Sequence, residues 1–344
     1  MSQTALTLSI GVSVPSFTFA QDADSRSEPQ RNNFFDERTR DAVDAGLAFL
    51  ATRQTEDGSF GVGPYRSNLA VCGLCGMAFL SAGNLPGRGK YGRQLNGCID
   101  YVLASARDSG FIQTGESNTR GPMYEHGFAT LFLAEAYGTS RKPGLRAKLA
   151  KAVRLIINTQ NDEGGWRYEP RRDEADLSVT VCQVMALRAA HNIGVFVPKA
   201  TIDRAVAYVE RCQNEDGGFR YMANIPGESR FPRSAAALVA MYSAGIQGGE
   251  VLTKGLDYVI QFPPNQSGRE DRQYYFYAHY YAVQAMWQAG GRYWNVWYPA
   301  IRAALLEEQR ANGSWSDAIS SEYGTAMGCL ILRMPESYLP IFER

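Results

Sequence analysis

The sequence predicts an all-α protein, an α6–α6 toroid of six helical-hairpin repeats in two concentric rings, and three observations predict it. First, one motif recurs. Gln160-Asn161-Asp162-Glu163-Gly164-Gly165-Trp166 is written again as Gln213-Asn214-Glu215-Asp216-Gly217-Gly218-Phe219 and as Gln54-Thr55-Glu56-Asp57-Gly58-Ser59-Phe60, and a last time as Gln309-x3-Gly313-Ser314-Trp315. Degenerate copies put Ala106 and Pro263 at the Gln position, so the key positions 54, 106, 160, 213, 263 and 309 follow one another every 46 to 54 residues. Second, an amphipathic helix precedes each key position. Third, a helix without a polar face follows each. Self-similarity at such a period marks stacked supersecondary units, each unable to bury its apolar face alone.

Taken in order, residues 1–20 read as a signal peptide. Ala5-Leu6-Thr7-Leu8-Ser9-Ile10-Gly11-Val12 supplies an apolar core and Thr18-Phe19-Ala20 a small-residue cleavage site, although no Lys or Arg precedes Arg26. Export to the periplasm or exterior is the expectation; without a working leader the protein would be cytoplasmic. Residues 21–35 form a polar linker, and residues 36–344 a single toroid domain.

The residues 11, 8, 7 and 4 before each key position define the first helix of a unit. They are Val43/Gly46/Leu47/Leu50, Leu95/Cys98/Ile99/Val102, Leu149/Ala152/Val153/Ile156, Ile202/Ala205/Val206/Val209, Leu252/Gly255/Leu256/Val259 and Tyr298/Ile301/Arg302/Leu305. That spacing is one face of a 3.6-residue helix, broken only by Arg302. Lys151, Arg154, Asp203, Arg204 and Glu210 give these helices a wet side. The second helices differ. Leu69–Ala82, Phe128–Ala136, Val179–Ala190, Ser234–Tyr242 and Gly324–Leu332 are apolar nearly all round, so they belong inside. The glycines after each Gln fit a helix C-terminus with a left-handed residue, and the aromatic that follows is expected to pack back on the helix end.

The Q-x3-G-x-W/F repeat resembles the QW motif of squalene–hopene and oxidosqualene cyclases. It places residues 36–340 in the wider terpenoid cyclase and protein prenyltransferase superfamily, which also includes the thioester domain of complement proteins. The resemblance implies the toroid; chemistry must be argued from a site.

Several classes are excluded or weakened. Lys plus Arg equals Asp plus Glu at 35 each, with no basic block, so nucleic acid is not an expected partner. No apolar run approaches a membrane span. Cys72 and Cys75 lie within an apolar inner-helix pattern and read as small buried side chains. Cys72-Gly73-Leu74-Cys75 lacks the Cys-Gly-Glu-Gln of an internal thioester. Zinc prenyltransferases, which this chain resembles in fold, hold their metal with Asp, Cys and His. Here Asp271-Arg272-Gln273 has Gln at the Cys position and Glu322-Tyr323-Gly324-Thr325 offers no His, so neither metal nor cofactor is expected.

The resemblance to class II cyclases implies an Asp that protonates an alkene or epoxide. Asp173-Glu174-Ala175-Asp176 aligned directly on D-x-D-D puts Ala175 at the acid. Shifted by one residue, Glu174-x-Asp176-Leu177-Ser178 resembles the D-C-T-A form, with Asp176 as the acid. Asp176 equally reads as an N-cap. Other inner-helix starts carry Arg66, Asn68, Tyr124, Glu125, His126, Arg230, Arg233, Tyr277, His279, Glu322 and Tyr323, which a toroid would gather at one mouth. His279 or His126 would be a hydrogen-bond partner for the acid. The run Tyr274-Tyr275-Phe276-Tyr277-Ala278-His279-Tyr280-Tyr281 is the most aromatic stretch. Phe276, Tyr277 and Tyr281 are expected to line a cavity suited to a hydrophobic, isoprenoid-like ligand or a carbocation, or else to fill the space between the rings.

These residues point to a terpenoid-cyclase-like toroid that binds an isoprenoid-like ligand, with acid-initiated cyclisation or isomerisation as its chemistry if it is an enzyme. The alternatives are a non-catalytic, exported binding or scaffold protein, and an (α/α)6 glycan-active enzyme pairing Asp176 with Glu125 or Glu322. A single α-domain and the lack of an Asp-rich diphosphate motif argue against a triterpene cyclase.

Overall fold

The structure, a computed structural model, describes residues 34–114, 121–264, 274–336 and 338–343. The leader and linker up to residue 33, and Asp271-Arg272-Gln273, lie outside the described residues.

Twelve α-helices carry the described fold. The outer helices are α1 (Glu37–Arg53), α3 (Gly92–Ala104), α5 (Leu145–Thr159), α7 (Lys199–Arg211), α9 (Glu250–Val259) and α11 (Gly291–Glu308). The inner helices are α2 (Leu69–Ser81), α4 (Pro122–Tyr137), α6 (Leu177–Asn192), α8 (Phe231–Ser243), α10 (Tyr275–Ala289) and α12 (Ser321–Leu332). Each inner helix packs on the next, α12 returns to α2, and α11 meets α1, so both rings close. Burial follows the sequence pattern. The inner helices are buried on nearly every side, and the outer ones only along their i, i+3, i+4, i+7 face, with Ile202 and Val206 half-buried. Arg302, the polar exception on that face, donates to Thr39 Oγ1 at 2.6 Å and to Asp36, tying the last outer helix to the first.

The repeated Gln ends an outer helix and reaches across to the next one. Gln160 Nε2 donates to Gly164 O and to Thr201 O, both at 2.8 Å. Gln54 does the same to Gly58 O and Gln94 O, and Gln213 to Gly217 O and Val251 O. Trp166 Nε1 bonds Ile156 O and Trp315 Nε1 bonds Leu305 O, so these aromatics do pack back on their helix ends. One expectation is corrected. The left-handed glycine is not the helix cap: Gln160 caps α5 in an extended conformation, and Gly164, at φ +98°, closes the turn that begins at Asn161. A Cβ at Gly164 would stand 2.2 Å from Arg204 O of the next outer helix, so the position needs glycine for space as well as for φ.

Candidate functional site

All outer-to-inner connections run to the same end of the toroid, where the inner helices begin. There the inner ring encloses a cavity of about 650 Å³. Its apolar floor comes from Ala70, Val71 and Leu74 of α2 and Phe128 of α4. Tyrosines form the walls: Tyr124 (α4), Tyr277 (α10) and Tyr323 (α12) from helix starts, and Tyr65, Tyr168 and Tyr221 from the connecting loops. Tyr274, half exposed, and Arg230 stand at the mouth. Burial pushes the Tyr124, Tyr277 and Tyr323 hydroxyls well above their ordinary pKa, so they are neutral rings facing the space. The cavity is of ligand size, mostly apolar, with a few polar groups.

Polar side chains enter at defined points. Glu125 accepts the Leu69 N–H at 3.2 Å, which serves the start of α2. Asp317 accepts the Ile319 N–H, and burial raises the pKa of its carboxyl. Arg233 lays its guanidinium 5.6 Å from the centre of the Tyr221 ring.

Asp176 lies behind the wall that Ser178 and Tyr221 form, with none of its surface exposed. Oδ1 accepts the Val179 N–H at 2.9 Å as the N-cap of α6, and Oδ2 is buried without a hydrogen bond. Burial raises its pKa to about 6, against the opposing pull of the Val179 N–H, the nearby Tyr221 hydroxyl and Arg167. Capping and an elevated, dry carboxyl therefore coexist in one residue.

Asn68, Tyr124, Glu125, Arg230, Arg233, Tyr277 and Tyr323 thus line the cavity as the sequence suggested, and the remaining candidates do not. Glu174 points to solvent in an ion pair with Arg167, which rules it out as a dry acid. His126 is buried between the rings. It accepts the Ile112 N–H at Nδ1 and meets Ala152 O through Nε2, and burial lowers its pKa to about 4. His279 sits among Phe231, Tyr275 and Trp297 with neither ring nitrogen bonded, and burial lowers its pKa to about 3. Neither histidine bonds Asp176. Phe276 faces a separate groove beside α11, formed with Ala300 and Ala304. Glu322 turns outward to an ion pair with Arg53, 2.7 Å away. Tyr281 lies deeper, edge-on to Tyr277, with its hydroxyl 3.5 Å from Cys182 Sγ, and so backs the wall rather than forming it.

The sequence reading missed Tyr65, Tyr168 and Tyr221. A signal existed for two of them: Tyr168 and Tyr221 each stand two residues after the repeat aromatic, Trp166 and Phe219, and their hydroxyls bond each other. The six cysteines are all buried as free thiols, Cys72 and Cys75 among them. Among the described residues, no group of three or more His, Cys, Asp or Glu is placed to hold a metal ion, and no helix is long and apolar enough to cross a membrane.

The sequence model of the prenyltransferase alpha-alpha toroid domain matches residues 94–229, 141–260 and 203–331. A drimenyl diphosphate synthase from Streptomyces showdoensis is 26% identical over 185 residues, 54% of this chain and 33% of that protein, so the match spans about a third of the relative's length. The type II terpene cyclase from Scytonema, solved with its product merosterolic acid A, superposes with a TM-score of 0.63 at 14% identity, covering 87% of this chain and 97% of the other. An α-1,6-mannanase from Salegentibacter gives the same TM-score at 8% identity, covering 87% and 99%. These likenesses show the fold; equal scores for a terpene cyclase and a mannanase leave the chemistry to the site.

Proposed function

From the premise that the chain belongs to the prenyltransferase alpha-alpha toroid domain family, we propose that its cavity binds an isoprenoid-like ligand, and that Asp176 supplies a proton to it. One observation carries this reading: a cavity of about 650 Å³ walled by tyrosines and aliphatic side chains, with a buried carboxyl of raised pKa directly behind the wall. Aromatic faces attract cationic charge by their quadrupole, so such walls suit a carbocation as well as an apolar chain.

The chemistry is a proton cycle. A carboxyl proton added to an alkene carbon leaves a carbocation, and loss of a proton from a neighbouring carbon gives a cyclised or isomerised alkene with no net change in atoms. Burial keeps Asp176 protonated up to about pH 6. Ser178 and Tyr221 stand between it and the ligand, so transfer uses the Tyr221 hydroxyl or a rotation of that ring.

The occlusion of Asp176 favours a second reading, a non-catalytic carrier with the same cavity. A glycan-active site gains less support: Asp176 is sealed off, Glu125 is engaged with α2, and Glu322 faces outward. Mass spectrometry of organic extracts tests the proposal, comparing the purified wild type with Tyr277→Ala and Asp176→Asn. The expected result is a stoichiometric isoprenoid, depleted in Tyr277→Ala and unconverted in Asp176→Asn. The same lipid from all three would make the protein a carrier of ligand held elsewhere, and no lipid from any would remove the isoprenoid reading.

A further inference from the structure

The inner helices end at the face opposite the cavity mouth, where short connections lead to the outer helices. Three of these segments, residues 82–93, 138–146 and 188–199, hold three, three and two Lys or Arg and no Asp or Glu. They follow α2, α4 and α6, which pack side by side, so the fold assembles one basic sector that no single stretch of sequence displays. The repeat turns at the mouth carry acids instead, Glu56-Asp57, Asp162-Glu163 and Glu215-Asp216 among them. Of the cations in the sector, Lys142 pairs with Asp100, Lys199 pairs with Asp203, and Lys90 lies over the Tyr91 ring. Arg88, Arg93, Arg141, Arg146 and Arg188 are exposed and form no ion pair among the described residues.

Two apolar side chains stand out of the same sector. Phe196 is 82% exposed and Leu85 is 38% exposed. Both sit on fixed turns. Leu85 and Arg88 exchange backbone hydrogen bonds of 3.0 and 2.9 Å. The Val195 N–H bonds Ala190 O at 3.0 Å, and Pro198 sets the entry to α7. A ring held in water on a rigid turn adds nothing to the core, and an ordered aromatic beside arginines is the composition of a protein-interface hot spot.

We infer that this face docks a protein segment in which acidic residues alternate with apolar ones. Its carboxylates pair with Arg88, Arg141 and Arg188, and its apolar side chains cover Phe196 and Leu85. A guanidinium presents paired N–H donors in one plane, the geometry of a carboxylate, and all five uncommitted cations are arginines. Two separate apolar tips do not make the continuous apolar face that lies in a bilayer, and a bilayer here would turn the cavity mouth away from itself. Because the face and the cavity lie at opposite ends of the ring, the partner and a cavity ligand can be held at once.

Fluorescence anisotropy of the full chain with a labelled peptide of Glu-Glu-Leu repeats, at low salt, tests this. Arg88→Gln/Arg141→Gln/Arg188→Gln should weaken binding by about tenfold or more, while the corresponding Lys variant retains part of the affinity. Phe196→Ser should weaken it by about threefold or more, and a Lys-Lys-Leu peptide should not bind. These side chains are exposed, so melting temperatures should stay at the wild-type value. No binding of the acidic peptide by the wild type, or equal binding by the wild type and the Arg→Gln variant, overturns the inference. Tighter binding of phosphatidylglycerol vesicles or of a DNA oligonucleotide, lost with the same arginines, overturns it too and gives the face to lipid or nucleic acid.

Discussion

Gln309 donates its side-chain amide to the Ala42 carbonyl at 2.7 Å, joining the last outer helix to the first across 267 residues of chain. The same amide bonds Gly313 O at 2.9 Å. This is the contact Gln160 makes to Thr201 within the ring, repeated at its seam. An amide has two N–H donors in a fixed plane, so one side chain can satisfy its own turn and the neighbouring helix at once. Ala106 and Pro263, at the equivalent positions of their units, have no amide to do so.

Gln160→Ala should destabilise the protein by about 1–3 kcal/mol, because Gly164 O and Thr201 O would lose a buried donor and Arg204 the Gln160 Oε1 it bonds. Gln309→Ala, at the more accessible seam, should cost less. Urea unfolding of both variants checks the ranking, with an unchanged m-value showing that the denatured state is not the cause.

Gly164→Ala places a methyl 2.2 Å from the Arg204 carbonyl at a φ of +98° and should cost more than about 3 kcal/mol. Gly144→Ala, at φ +77° with no atom within 4 Å, should cost only the left-handed conformation, about 1–2 kcal/mol. Similar melting temperatures for the two variants would show that the turn does not pack as closely as described.

The fold was legible because each repeat states its own boundaries, and six statements of one pattern outweigh the ambiguity of any single helix. The site was legible only in outline. Inner-helix starts do converge on one mouth, but consecutive residues on a helix point about 100° apart, so whole clusters could not face inward. Tyr124 faces the cavity and His126 turns to the outer ring; Tyr323 faces in while Glu322 reaches Arg53; Tyr277 faces in while Phe276 and His279 do not. Tyr65, Tyr168 and Tyr221 come from loops whose path depends on tertiary packing, and helical periodicity says nothing of them.

Stability should fall as pH rises from about 4.5 to about 8 through Glu135. This carboxyl lies inside the closed end of the ring, with Oε2 accepting the Ile341 N–H at 3.4 Å, and burial raises its pKa to about 8. The native state holds that proton more tightly than the unfolded chain, so deprotonation across this window favours unfolding. Glu135→Gln should match the wild type near pH 4.5 and exceed it at pH 9 by roughly 3–5 kcal/mol, read from denaturant titrations at both pH values.

His126 and His279 act in the opposite direction. Burial lowers their pKa values to about 4 and about 3, so both are neutral in the native state. Their stabilising effect is complete above pH 6.5 and is lost as pH falls toward those values, because the unfolded chain takes up protons first. Following both histidines by NMR during acid titration should show neutral rings down to about pH 5; a titration near 6.5 in the folded protein would place either ring in solvent.

At about pH 4, where the native carboxyl is protonated, Asp176→Asn should keep the α6 cap and leave stability nearly unchanged, while Asp176→Ala should lose about 1 kcal/mol. Above about pH 6 the Asn variant should be the more stable, because the wild type then buries a charge. The Asn variant therefore isolates the proton from the cap.

Deuterium incorporation tests the central claim most directly. Wild-type protein and Asp176→Asn are incubated in heavy water with geranylgeranyl diphosphate and geranylgeranoic acid, and the extracted hydrocarbon skeletons are read by mass spectrometry. A protonation-initiated reaction at Asp176 predicts one carbon-bound deuterium in a product formed by the wild type, and none with Asp176→Asn. Unlabelled, unchanged ligand recovered from both proteins, at about pH 5 as at about pH 7, on either side of the raised Asp176 pKa, would contradict it and leave the cavity as a site of carriage.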